Sequence, residues 1–212
     1  MFWQREILRD GISMTFAQTY ELDLPKSGLL GSLILYARST AVSGAFATAI
    51  KWRLIDYISK IEVIGDGAEV IKSFDGRQAL ASAFYDDFRE PVSMWRTYST
   101  TSQRQFIPIH FGRGFLDELY GLDLSRFNQV TLKITNDASA SQFATDITLS
   151  VMGLWLRDAP AAFSGYFREE EWKTWAPVAN GWEYNELPIA LPIRRILLRA
   201  RPFIKSADSK HS

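Results

Sequence analysis

Two segments of this 212-residue chain repeat one pattern across most of its length. Asp23-Leu24-Pro25 is followed by Leu33-Ile34-Leu35-Tyr36-Ala37-Arg38, and Glu186-Leu187-Pro188 by Ile196-Leu197-Leu198-Arg199-Ala200-Arg201. In both copies seven residues separate the proline from the aliphatic triplet, and the prolines lie 163 positions apart (188 minus 25). Solenoid and propeller units repeat every 20 to 50 residues or so, so a period this long points to a duplicated domain. The bland alternative is a coincidence between two apolar strands, each entered through a proline turn. The second copy opens the last 27 residues. The organisation expected is therefore one complete domain (1–156, with 1–12 as an N-terminal extension), a connector (157–183) and the first strands of an incomplete second domain (184–212).

Between the two copies the apolar residues recur with period two, the signature of strands with one buried face. Met14, Phe16, Tyr20, Leu22 and Leu24 predict one strand, and the run 29–36 predicts a second, buried on both faces. Residues 37–49, rich in Ala, Ser, Thr and Gly, read as a loop, with alternation resuming at Ile50, Trp52 and Leu54. Gly65-Asp66-Gly67 between two apolar runs is the strongest hairpin signal in the chain. Asp75 can cap a short helix that Pro91 stops, and a second helical turn is expected through Leu116, Leu119 and Tyr120. Pro108 cannot donate a ladder hydrogen bond, which places its strand at an edge or bulge. About eight strands with two short helical insertions, and no long helices between them, predict an all-β fold: an eight-stranded antiparallel jelly-roll sandwich.

The connector changes character, with Pro160, Phe163, Tyr166, Trp172, Trp175, Pro177 and Trp182 around the acidic run Glu169 to Glu171. It reads as a segment packed down by its tryptophans, or as a long loop closing a single domain.

Chemistry has few places to sit. The chain has no cysteine, which removes disulfides, thiolate nucleophiles and sulfur metal ligands. Of the two histidines, His211 lies in a polar tail and His110 in a strand, where it reads as a packed or surface residue. The pairs Asp86-Asp87 and Asp117-Glu118 and the run at Glu169 diverge along their elements and read as solvated faces or helix starts, not as a glycosidase pair. No metal, cofactor or catalytic residue is expected. Twenty-four basic residues balance twenty-four acidic ones, so no global field draws the chain to nucleic acid. The densest basic set, Arg194, Arg195, Arg199, Arg201 and Lys205, reads as a strand whose arginines point away from a core, able to touch phosphate or an acidic partner surface. The N-terminal residues lack the continuous apolar run of a secretory signal, and the longest apolar stretch, 29–37, is far short of the roughly 20 residues of a membrane span. A soluble protein used without export is expected.

Four segments together carry a family resemblance. The hairpin Ile61-Glu62-Val63-Ile64-Gly65-Asp66-Gly67, the segment Phe106-Ile107-Pro108-Ile109-His110-Phe111-Gly112-Arg113, the run Gly121-Leu122-Asp123-Leu124-Ser125-Arg126-Phe127 before Val130-Thr131-Leu132-Lys133-Ile134, and the proline-led strand from Leu187 resemble the double jelly-roll major capsid proteins of tailless icosahedral DNA viruses. The resemblance runs over residues 14–201. It implies two jelly rolls side by side, three copies forming a pseudo-hexagonal capsomer, and an icosahedral shell, often over an internal membrane. It implies a structural protein of the virion, assembled in the host cytoplasm, whose partners are copies of itself, neighbouring capsomers and other capsid proteins. A full member would continue for roughly 100 to 200 residues beyond Lys205. The rival from another class is a carbohydrate-binding or glycoside-hydrolysing β-sandwich with Trp52, Trp95 or Trp172 as a sugar platform; a fibre or other virion component is a third reading.

Overall fold

The computed structural model describes residues 1–42, 53–91, 93–94 (backbone), 102–159, 161–176, 182, 184–187 and 190–199. The chain divides into two units, Met1–Lys173 and Thr174–Ser212. In chain order the elements of the first unit are β1 (Phe2–Met14), β2 (Thr19–Asp23), β3 (Leu29–Thr40), β4 (Ile58–Gly65), β5 (Glu69–Phe74), helix α1 (Gly76–Asp87), β6 (Ser93–Met94), β7 (Ser102–His110), β8 (Leu122–Asp123), β9 (Val130–Asn136), β10 (Ile147–Arg157) and β11 (Glu169–Glu170).

These strands form two sheets, one ordered β1-β10-β3-β7-β6 with β8 also paired to β3, the other β11-β5-β4-β9-β2. Leaving aside the three two-residue strands, the eight long strands run first-eighth-third-sixth in one sheet and fifth-fourth-seventh-second in the other. That winding, in which the chain crosses from sheet to sheet and closes its last strand beside its first, is the jelly roll. The expected all-β sandwich is what forms. Its core comes from the inward residues of both sheets: Leu33, Leu35 and Ala37 of β3, Ile107 and Ile109 of β7, Leu149 and Val151 of β10 facing Ile61 and Val63 of β4 and Leu132 and Ile134 of β9.

The hairpin β4–β5 turns as its sequence predicts. Asp66 and Gly67 both adopt positive φ (49° and 73°), and the Ala68 N–H donates to Gly65 O at 3.1 Å, the mirror-image turn whose twist matches the flanking strands. Asp75 caps α1, accepting the Gln78 N–H at 2.7 Å, while the Gln78 side chain accepts the Asp75 N–H. Pro108 pairs with Ile34 of β3, and on its other side the described residues of β6 pair with Arg104 and Gln105, so among the described residues the proline sits at an open edge.

Four expectations change. Residues 2–12 are not an extension but most of β1, the sheet's edge strand, paired with β10 from Phe2↔Arg157 to Met14↔Ile147. Two register shifts, one on each side of Arg9, and Gly11 at φ 64° disrupt its period-two pattern, and an edge strand exposed along most of its length carries little apolar signal. The single strand expected from Met14 to Leu24 is two strand ends joined by a turn at Ala17 (φ 54°). Residues 37–40, expected to be loop, extend β3, because small Ala37 faces the core while β7 and β10 pair on both sides. Leu54 lies in a single 3-10 turn (Leu54–Tyr57), and Ile50 and Trp52 fall outside the described residues.

The first part of the connector belongs to the first unit. Phe163 is buried against Gly121, where any Cβ would strike its ring, and β11 adds in parallel to the free edge of β5. Phe163 is the buried anchor of this segment, while Trp172 stays half exposed. In the second unit, the described residues from 182 to 199 contain no helix or strand.

Candidate functional site

Where β7 ends, the last turn of α1 and the loop after β7 meet it through polar side chains. His110, the last residue of β7, is buried between two partners: its Nδ1 lies 2.8 Å from Ser32 Oγ on β3, and its Nε2 lies 2.9 Å from Asp87 Oδ2 in the last turn of α1. The other Asp87 oxygen accepts the Phe115 N–H at 3.0 Å. Burial pushes the Asp87 carboxyl up, but the His110 hydrogen bond and charge, the Phe115 amide and Arg89 outweigh it and hold the group below its ordinary value.

Ser, His and Asp in a chain of hydrogen bonds form the constellation of a hydrolase. Here the serine is 0% exposed inside a sheet, paired at its backbone opposite His110 itself, so no substrate reaches its hydroxyl. The arrangement works instead as a polar tie that joins the sheet, the end of α1 and the loop after β7. His110 is a packed histidine, as its strand position predicts.

That loop, 111–121, is organised by Asp117 and not by the helical turn expected there. Its carboxylate accepts the backbone N–H groups of Arg113 (2.8 Å), Leu119 (3.0 Å) and Tyr120 (3.3 Å) and two N–H groups of the Arg113 guanidinium at 2.8 Å each. Partial burial opposes the charge, but five donors hold this carboxyl far below the usual carboxylate range. A side chain that takes the amides of its own loop competes with the i to i+4 bonds of a helix, which is why no helix forms.

The acidic run beyond Phe163 is a strap across the edge of β5. Glu169 accepts from Lys72 Nζ at 2.8 Å and from Ser82 Oγ of α1 at 2.6 Å, and Glu171 accepts from Gln78 Nε2 at 2.9 Å. Lys72 is 1% exposed, so its ammonium depends on internal partners. Tyr166 donates to Glu69, and burial together with that carboxylate pushes its hydroxyl up to about 12. From sequence alone Glu169 to Glu171 read as a solvated face or a helix start, and the role of Lys72 is not seen. The only local signal was a lysine within an apolar strand, and its partner lies 97 positions away.

Beside this polar framework several large apolar side chains are exposed. Phe84, Tyr85 and Phe88 at the end of α1, and Phe115, Leu116 and Leu119 in the loop that Asp117 shapes, are all exposed, Phe88 by 84%. Asp87 joins the two groups through the Phe115 amide. Of the repeat residues, Asp23 ends β2, Leu24 is buried and Leu33, Ile34, Leu35, Ala37 and Arg38 all lie in β3. Leu187, Ile196, Leu197 and Leu198 are exposed and outside any strand, Glu186 lies in the same stretch, and Pro188, Ala200 and Arg201 fall outside the described residues. Among the sugar-platform candidates, Trp52 and Trp95 also fall outside them. No cluster of three or more metal-ligating side chains occurs among the described residues.

No family model matches this sequence, and no curated protein does. Solved structures do match. The major capsid protein of Sulfolobus turreted icosahedral virus superposes with a TM-score of 0.54 at 10% identity, over 74% of this chain and 49% of that one. Major capsid protein P2 of bacteriophage PM2 gives 0.50 at 12% identity, over 76% and 52%, and VP54 of PBCV-1 gives 0.52 at 14%, over 73% and 41%. Over the matched region the fold is shared with double jelly-roll major capsid proteins. At these identities the likeness is one of fold alone, and the chain spans about half the length of the proteins it matches, or less.

Proposed function

We propose that this chain is a structural capsid subunit whose work is self-assembly rather than catalysis. The observation that carries the reading is the jelly-roll strand order of the two sheets, together with the superposition of three viral capsid proteins on about three-quarters of this chain. In this reading three copies form a pseudo-hexagonal capsomer, capsomers tile an icosahedral shell in the virion, and assembly takes place in the host cytoplasm. The second Leu-Pro copy is then the opening strand of a second jelly roll. The exposure of Phe84, Tyr85, Phe88, Phe115, Leu116 and Leu119 supports the reading, because large apolar side chains left in water are favourable only where a partner covers them.

Light scattering on the purified chain across a concentration series tests this, with negative-stain microscopy of the largest species. A trimer or a larger shell-like assembly is expected. A chain that stays monomeric at every concentration, and is retained on a glycan array, overturns the capsid reading in favour of a carbohydrate-binding sandwich.

A further inference from the structure

Strand β1 is the open edge of its sheet: β10 pairs with one side of it from Phe2 to Met14, and no strand pairs with the other side among the described residues. Its middle, Arg5-Glu6-Ile7-Leu8-Arg9-Asp10, is a palindrome of charge. Laid antiparallel on a copy of itself, it sets arginine against aspartate and glutamate against arginine, with Ile7 and Leu8 at the centre. In a regular strand this match would be of no use. A twofold axis normal to the sheet brings like faces together, whereas Arg5 and Asp10, and Glu6 and Arg9, stand an odd number of positions apart and would point to opposite faces. The register shift between Ile7 and Arg9 removes that obstacle. Glu6 is opposite Gly153 and Arg9 opposite Val151, two positions that share a face of β10. Arg5 is opposite Leu154, and Asp10 accepts the Ser150 hydroxyl at 2.7 Å, which places both on the other face.

We infer that β1 pairs antiparallel with β1 of a second copy about a twofold axis at Ile7, joining the two sheets edge to edge. With Leu8 as the extra residue, Ile7 meets its own counterpart at the axis, Glu6 meets Arg9 and Arg5 meets Asp10, each charged pair occurring twice. An edge strand presents backbone N–H and C=O groups to water along its length, and the pairing satisfies them in both copies at once. The same step covers Ile7, which is 61% exposed. Arg5 makes no hydrogen bond or ion pair among the described residues, and Ser150 takes only one oxygen of Asp10, so both groups have bonding capacity to offer a partner. Glu6 also meets Arg157 at 3.2 Å, but both side chains are exposed and such a surface pair holds its members weakly. Charges and bulges on an edge strand commonly keep sheets apart. Those of β1 oppose one another in sign in this register, while the neighbouring registers that keep like faces together set Glu6 against Glu6 or Arg9 against Arg9. A contact that uses the same surface on both copies closes at two. For its place in a shell it rests on the capsid reading, in which it links neighbouring capsomers and not the three copies within one.

The chain has no cysteine, so a single introduced thiol reports the axis. Under mild oxidation the full chain carrying Ile7→Cys should form a disulfide-linked dimer well ahead of the full chain carrying Ala68→Cys, an exposed position in the hairpin of the other sheet. Arg5→Cys mixed with Asp10→Cys should give a mixed dimer faster than either variant links to itself, which fixes the register. Ile7→Lys sets two ammonium groups at the axis and should weaken association by roughly tenfold or more. It should leave the denaturation curve of the monomer where it was, because the side chain is already exposed. Cross-linking at Ile7 no faster than at Ala68, or association that Ile7→Lys leaves unchanged, overturns the contact; if trimers or larger species still form, the capsid reading stands without it. An unaltered chain that is monomeric at every concentration also overturns the contact, and its retention on a glycan array takes the capsid reading with it.

Discussion

The two Leu-Pro copies present the same sequence pattern in opposite environments. In the first, Leu33 and Leu35 are fully buried, and each is paired on both sides: Leu35 with Val151 of β10 and Ile107 of β7, Leu33 with Gly153 and Ile109. In the second, Ile196 and Leu198 are more than half exposed, and no ladder forms among the described residues. The aliphatic triplets differ little in hydrophobicity. What differs is the supply of neighbours, because a strand's preference is largely the packing and pairing offered by the strands beside it.

The sharpest way to break this comparison is to truncate one leucine in each copy. Leu35→Ala should cost about 2 to 5 kcal/mol in chemical denaturation, since it opens a cavity between two sheets. Glu169→Ala comes next, at about 2 to 3 kcal/mol, because it removes a carboxylate from a buried ammonium at Lys72. If it costs nothing, the strap is not an integral part of the first unit.

Asp75→Ala should lower stability by about 1 kcal/mol through loss of the α1 cap, read by the same denaturation series. The pH dependence has a definite sign. Asp87 and Asp117 have folded values below their unfolded ones, so their stabilisation is fully present above about pH 4 and is lost as pH falls through the depressed folded values. Asp117→Asn should therefore flatten the acid limb of a stability profile, while leaving its neutral region parallel to that of the unaltered chain. The smallest effect belongs to the second copy: Leu197→Ala should change stability by less than about 0.5 kcal/mol. A cost near that of Leu35→Ala would show that the second copy is packed as deeply as the first.

The β-sandwich was legible because its evidence is local. Val130, Leu132 and Ile134 alternate with Thr131, Lys133 and Thr135, and Asp66-Gly67 demands the turn it makes. β1 was not legible, since an edge strand with two register shifts shows neither strong apolarity nor regular alternation. The polar framework escaped for a different reason. Ser32, Asp87 and His110 lie 78 and 23 positions apart in the pairs they form, and nothing near any of them announces the others.

What the sequence determined by itself is the period of the strands, the position of the tight hairpin, the cap of α1 and the absence of any thiol chemistry. Each depends on residues within a few positions of one another, where backbone geometry and side-chain alternation act directly. The tertiary structure decided which strands became neighbours, that Asp117 would gather its loop and Glu169 would reach Lys72, and that one of two matching triplets would be buried. Those outcomes depend on groups brought together from distant parts of the chain, and the free energy of burial and pairing exists only once the partner is in place.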